Sequence, residues 1–225
     1  MKQKTKLLIA TPSYDKKVHV HYTIALMNTK LLLESQGIEV NFQFRLGDSL
    51  LVSARNTLIE DFWKSDATHV LCVDSDVGWP PLAVLSMIQT EKDFIAGVYP
   101  TRWDGKGFFY TPSLDSNGKR IMEKHLMKVE YIPAGFMLIS RNVISKMREK
   151  YTELYYESED NPNDKAYCFF DTEVSDKKLW GEDYVFARRA RNAGFDIWVD
   201  PLIEFQHGEM TGAMGRLPSG ENPYK

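Results

Sequence analysis

What most constrains this sequence is a rhythm in its first hundred residues, where short apolar runs alternate with longer stretches whose apolar residues recur at helical spacing. That rhythm predicts βαβ units: an α/β fold with a mostly parallel, Rossmann-like central sheet and helices packed on its faces. Residues 7–10 form the first expected strand, and residues 11–15, Thr-Pro-Ser-Tyr-Asp, a turn. Ile24, Leu26, Met27, Leu31 and Leu32 then mark a helix that Gly37 ends. Residues 38–44 alternate apolar and polar side chains as a second strand. Ser53 is the expected cap of a helix carrying Leu58, Ile59 and Phe62, and residues 69–73 are apolar enough for a strand buried on both faces. Pro80 and Pro81 suit the first turn of the next helix, and residues 94–98 supply a fourth strand.

Beyond Pro100 the rhythm breaks, and the chain becomes rich in aromatic residues, Gly and Pro. Specificity is expected to be built here. Asn117-Gly118 predicts a hairpin turn, residues 129–132 and 136–140 strands, and 141–151 a helix. Residues 153–165 read as an acidic mobile loop, 182–192 as a helix stopped by Gly194, and 197–199 and 203–205 as short strands. From Glu209 a Gly- and Pro-rich segment reads as a flexible tail.

Composition bears on partners and compartment. With 225 residues, 43% of them hydrophobic and 26% charged, one ordinary globular domain accounts for the length, and collagenous, coiled-coil and disordered classes are excluded. Lys and Arg total 28 against 31 acids, a net charge of -3, so no global basic field draws the chain to nucleic acid. The run Lys146, Arg148, Lys150 is no more than a solvated helix face. Cys72 and Cys168 lie in apolar surroundings and read as buried thiols of a reducing compartment. The apolar run 7–10 is too short for a signal peptide and no stretch is long enough for a bilayer span, so the expected location is the cytoplasm.

Four constellations can carry chemistry. Asp74 and Asp76, one residue apart, close the apolar run Val70-Leu71-Cys72-Val73, at the strand end where open α/β sheets bind ligands. Two such carboxylates can turn toward one hard cation, which in turn grips a diphosphate; the plain alternative is an Asx-turn leading to Pro80. His207, before Gly208, would complete a mixed oxygen and nitrogen set suited to Mn²⁺ if it met those acids, and is otherwise a structural histidine. Gly181-Glu182-Asp183 opens the last helix: the acids oppose its dipole, or one of them overhangs a pocket as a general base. Arg55, in Ala54-Arg55-Asn56, can meet a phosphate or orient an acid. Tyr14, Trp79, Tyr99 and Trp103 each follow an expected strand end and can stack on a base or sugar face.

Taken in order, these segments resemble the nucleotide-sugar glycosyltransferases of the GT-A fold over most of the chain. The wording Gly-Phe-Met-Leu-Ile-Ser-Arg and Trp-Gly-Glu-Asp-Tyr is most similar to the small family-2-like enzymes of bacteriophages, large viruses and bacteria. The resemblance implies a GT-A core with a smaller acceptor-side sheet, residues 1–100 forming the nucleotide-sugar half, 101–208 the acceptor half and 209–225 the tail. It implies that Thr11, Pro12, Tyr14, Asp15, Arg55, Asn56, Asp74 and Ser75 hold the donor. Asp76 with His207, and Asp74 by sharing, would bind Mn²⁺ or Mg²⁺. Trp79, Ala134, Gly135 and Trp180, with Arg141 nearby, would face the acceptor, and Asp183 or Glu182 would deprotonate its hydroxyl in an inverting transfer. The resemblance leaves the acceptor open among a glycan, a protein, a small molecule and a modified base, and a viral source would place the chain in host cytoplasm. The Gln-x-x-Arg-Trp signature of processive synthases is missing. Two other readings compete: a binding module that keeps the site without turnover, and a phosphatase of the haloacid-dehalogenase type, whose Asp-x-Asp lies on the first strand.

Overall fold

The four apolar runs of the first hundred residues become strands of one sheet, in a computed structural model that describes residues 4–101, 107–157, 165–208 and the backbone of 213–215. In chain order the elements are β1 (Lys6–Ser13), α1 (Val20–Ser35), β2 (Glu39–Leu46), α2 (Leu51–Lys64), β3 (His69–Val73), β4 (Val77–Gly78), α3 (Pro81–Gln89) and β5 (Phe94–Ala96). The second half adds β6 (Thr111–Pro112), β7 (Met122–Glu123), β8 (Leu126–Tyr131), β9 (Phe136–Ser140), α4 (Arg141–Lys150), β10 (Tyr155–Glu157) and β11 (Lys165–Tyr167). It ends with β12 (Glu173–Ser175), β13 (Lys178–Trp180), α5 (Glu182–Asn192), β14 (Ile197–Val199), β15 (Phe205–His207) and β16 (Ala213–Gly215).

The central sheet has the order β2-β1-β3-β9-β5-β14-β8-β6, with β7 paired to β8. β2, β1 and β3 run parallel, as do β5 and β14; β9 lies antiparallel between β3 and β5, so both groups share one direction. The fold is therefore mixed α/β, with a large, mostly parallel sheet flanked by helices. Alternation along the strands divides the core into two layers. Leu7, Ile9, Leu71 and Val73 face α1 and α3 through Tyr22, Leu26, Leu33, Val84 and Met87. Leu8, Ala10, Val70 and Cys72 face α2, α4 and α5 through Leu58, Phe62, Ile144, Met147 and Phe186. Both cysteines are free, and burial pushes the Cys72 thiol up to about 12. Among the described residues no helix is long and apolar enough to cross a membrane.

Several expectations need correction. The first strand continues through Ser13, so Thr11 and Pro12 belong to β1 and the turn begins at Tyr14. Ser53 does not cap α2, which starts two residues earlier. Asp48 organises that entry instead, accepting from the Leu50 N–H at 3.1 Å and from the Ser53 hydroxyl at 2.9 Å. The second-half strands β8, β9 and β14 sit inside the central sheet and not in a separate one. β9 is apolar at nearly every position and must be covered on both faces, which only an interior place provides. Among the described residues three small sheets lie apart from the central one, β10-β11, β12-β13 and β16-β15-β4, and the last expected strand lies at Phe205–His207, two residues late. The Arg141 guanidinium donates to the carbonyls of Phe62, Trp63, Ser65 and Ala67, closing the end of α2. The ends of the expected acidic loop are paired, β10 with β11, while residues 158–164 lie outside the described residues, as do Trp103 and most of the tail. A hairpin between β12 and β13 went unread because Asp176 and Lys177 take the left-handed turn without glycine, at φ 53° and 62°.

Candidate active site

Sheet topology brings the chemistry together. β1 and β3 are parallel neighbours, so their carboxyl ends deliver Pro12 and the Asp74-Ser75-Asp76 segment to one edge of the sheet. A first cleft of about 760 Å³ opens there, lined among others by Pro12, Asp15, Asp74, Ser75 and Asp76. A second cleft of about 780 Å³ is lined by Tyr99, Phe109, Pro133, Tyr184, Asp183 and His207. The two meet where Asp76, in the first, faces His207, in the second, with Oδ2 and Nε2 3.7 Å apart.

That encounter joins residues 131 positions apart because β15 pairs antiparallel with β4, His207 against Val77, and the Gly208 N–H donates to the Asp76 carbonyl at 3.1 Å. On its far side the His207 ring has Nδ1 2.7 Å from the Pro100 carbonyl. A carbonyl only accepts, so Nδ1 carries a proton on that side and Nε2 is the ring nitrogen that faces Asp76. Asp76 and His207 thus set one oxygen and one nitrogen donor side by side, a pair of the kind that ligates a divalent ion. Asp74 faces elsewhere, and among the described residues no three His, Cys, Asp or Glu side chains gather into a metal cluster.

Behind the clefts Arg55 ties the acids together. Only 5% exposed, it donates from Nη2 to Asp74 Oδ1 at 2.9 Å and from Nη1 to the Ala134 carbonyl at 3.3 Å, while Nε lies 3.5 Å from Glu182 Oε1. Burial works against its charge, but Asp74 and Glu182 outweigh burial and hold its pKa above the usual arginine range. Gly135 completes the frame: its N–H donates to the Tyr99 hydroxyl at 2.9 Å, and its carbonyl accepts from the Asp74 N–H at 3.1 Å. A Cβ at residue 135 would stand 2.8 Å from Asp74 Oδ2 and 2.7 Å from Tyr99 Cζ, so the close approach requires glycine.

Asp183 sits in the first turn of α5, half-buried, with its carboxylate accepting from the Tyr184 N–H at 2.8 Å. Burial, and then the neighbouring charge of Glu182, push its pKa up to about 6 despite that hydrogen bond and Arg55. A carboxylate poised there can accept a proton near neutrality.

The structure distributes the other expected residues unevenly. Pro12, Asp15, Asp74, Ser75 and Asp76 line the first cleft, and Tyr14 is 69% exposed beside it. Thr11 is buried with its hydroxyl 2.7 Å from that of Tyr22. Asn56 is buried too, its amide pairing both ways with the Phe170 backbone at 2.8 Å. Trp79 is a core residue, packed between Tyr22 and Phe136 with its indole N–H on Thr29. Trp180 stacks on Tyr131, which stacks on Tyr184 of the second cleft. Sequence reasoning missed Lys17, His19 and His21, which line the first cleft; the Lys-Lys-Val-His-Val-His run after the first turn was their signal. It also missed Tyr184, in the shadow of the acids before it.

No protein-family model matches the sequence, and no curated protein matches it. Solved structures of transferases do. The inositol-1-phosphate CTP transferase from T. maritima is 12% identical with a TM-score of 0.46, over 91% of this chain and 89% of that one. The 4-diphosphocytidyl-2C-methyl-D-erythritol synthase from Anaerococcus prevotii is 12% identical with a TM-score of 0.43, over 98% and 95%. A glycosyltransferase involved in glycosylation of the major capsid of PBCV-1 is 11% identical with a TM-score of 0.37, over 66% and 65%. Its structural neighbours thus include nucleotidyltransferases and a glycosyltransferase.

Proposed function

We propose that this chain is a metal-dependent glycosyltransferase, moving a sugar from a nucleoside-diphosphate sugar to an acceptor hydroxyl. The observation that supports it is the meeting of two clefts at Asp76 and His207, with Asp74 and Asp76 bordering one and Asp183 the other.

In this reading the first cleft takes the donor. Asp76 and His207 would hold Mn²⁺ or Mg²⁺, which supplies positive charge to the leaving diphosphate. Arg55 fixes Asp74 and Glu182 so that neither carboxylate swings into the anionic donor's path. The second cleft takes the acceptor, and Tyr99, Phe109 and Tyr184 exclude water around its hydroxyl. Asp183 accepts the hydroxyl proton as the acceptor oxygen bonds to the anomeric carbon. The bond from that carbon to the diphosphate oxygen breaks, and its electron pair leaves with the nucleoside diphosphate. Attack opposite the leaving group inverts the anomeric centre.

A thermal-shift screen of nucleotide sugars with and without Mn²⁺ tests the reading, because a ligand that binds the native state raises its melting temperature. A Mn²⁺-dependent shift that Asp76→Ala abolishes, with transfer lost in Asp183→Asn while donor binding persists, is expected. Release of pyrophosphate from a nucleoside triphosphate and a sugar phosphate would instead mark nucleotidyl transfer and overturn it.

A further inference from the structure

Each backbone carbonyl of the Asp74-Ser75-Asp76 segment is held. That of Asp74 accepts from the Val77 N–H at 3.2 Å, closing a turn, and that of Ser75 from the His19 N–H at 2.9 Å. The Asp76 carbonyl accepts twice, from the Gly208 N–H at 3.1 Å and from the His21 ring, whose Nε2 lies 2.9 Å away. A carbonyl only accepts, so Nε2 carries a proton in that bond. Of these donors His21 is the one side chain; the others are main-chain groups that any residue but Pro would supply.

His21 reaches Asp76 across 55 positions because it stands in the first turn of α1, where that helix packs on β4. Gly78 of β4 makes room for the ring. A Cβ there would stand 2.9 Å from His21 Cδ2 and 3.4 Å from its Cβ, so the ring fits only against a residue without a side chain. The half-buried ring borders the first cleft and also a third, of about 680 Å³, that Gly78, Asp200 and Gln206 help to line.

We infer that His21 is a positioning residue: through the Asp76 carbonyl it sets the direction in which the Asp76 carboxylate points. The inference rests on the reading of Asp76 and His207 as metal ligands. Two donors occupy both lone pairs of one carbonyl, which fixes the peptide plane after Asp76 and with it the Cα–Cβ direction. Gly208 follows His207 at the end of β15, and His21 belongs to α1. Together they tie Asp76 both to its fellow ligand and to a helix, and hold Oδ2 3.7 Å from His207 Nε2. Without His21 the carbonyl keeps Gly208, so no acceptor is orphaned and the fold survives, while the carboxylate gains freedom to turn away. Supports of a metal ligand are worth about 10–100-fold in affinity, and the retained donor places His21 at the lower end.

Mn²⁺ titration of the full chain, followed by loss of the free-ion paramagnetic resonance signal, tests this without turnover. His21→Ala is expected to weaken Mn²⁺ binding about tenfold, and His21→Gln, which keeps an N–H donor, to restore it to within about threefold of wild type. Gly78→Ala displaces the ring and should weaken binding as His21→Ala does, the two changes together costing no more than either alone. It carries the test if His21→Ala fails to fold. Because His21 borders two open clefts, free imidazole should enter the space left in His21→Ala and recover part of the affinity, with no such gain in wild type. A His21→Ala protein that melts lower than wild type yet binds Mn²⁺ equally overturns this inference alone, as does a His21→Gln protein as weak as His21→Ala. A wild type that takes up no Mn²⁺ at millimolar concentration overturns the metal reading and this inference with it.

Discussion

Replacing Arg55 with Met isolates the electrostatic frame of the site, because Met fills similar space without charge. The side chain is 5% exposed, while those of Asp74 and Glu182 are 23% and 20% exposed. The change strips Asp74 of a 2.9 Å donor, Glu182 of a 3.5 Å counter-charge and the Ala134 carbonyl of a 3.3 Å donor. Removing one partner of a buried pair costs about 3–5 kcal/mol. The residual solvent at both carboxylates screens part of that loss, which places the expected destabilisation at about 3 kcal/mol. For a chain of this size each kcal/mol moves the melting temperature by about 2–4 °C, so a fall of about 6–12 °C is expected at pH 8. Circular-dichroism melts of both proteins read the result. Arg55→Met with Asp74→Asn should recover part of the loss. A melting temperature within about 2 °C of wild type, or a loss that Asp74→Asn does not reduce, would refute the view that Arg55 neutralises two acids.

Asp183 should titrate near 6, so transfer rates are expected to fall about tenfold per pH unit below that value and to level off above it; a flat profile through pH 5 would remove it as the base. Its folded pKa is raised, so its favourable contribution to stability is present below about pH 4 and lost as pH climbs through about 6. Asp183→Asn is accordingly expected to be more stable than wild type by about 2 kcal/mol at pH 7 and equal to it near pH 4, measured by urea denaturation. Gly97→Ala would place a Cβ within 2.8 Å of three Phe205 ring carbons, on the strand that carries His207. A loss of about 1–3 kcal/mol is expected, relieved by Phe205→Leu, and an undiminished melting temperature would contradict the packing. Gly135→Ala pushes Tyr99 and Asp74 apart and should lower kcat/KM about a hundredfold; unchanged kinetics would show that this frame is not needed.

The regular part of the fold was legible because periodicity is local. The helices at Glu182–Asn192 and Arg141–Lys150 and the strands at His69–Val73 and Phe136–Ser140 lie where spacing predicts them. The site was legible in part. Pro12, Asp15, Asp74, Ser75 and Asp76 do border a cleft, and Asp183 overhangs another. What the local letters do not show is that the Arg141 guanidinium closes a helix end and that the Trp79 indole N–H donates to Thr29 inside the core. Asn56 likewise spends its amide on the Phe170 backbone, a partner 114 residues away that no local pattern announces.

By itself the sequence determined the long helices and the main strands of the central sheet, that this sheet is mostly parallel, and that an acid pair ends its third strand, because hydrophobic spacing and strand-end chemistry are properties of a few adjacent residues. Tertiary structure decided the rest. It inserted an antiparallel strand into the middle of the sheet, set His207 3.7 Å from Asp76 through a pairing of β15 with β4, and gave Asp74 and Glu182 one shared arginine. It also raised Asp183 to about 6 and left Val20, Ile24, Met27 and Leu31 facing solvent. Burial and distance between remote side chains set each of these, and neither exists until the chain has packed.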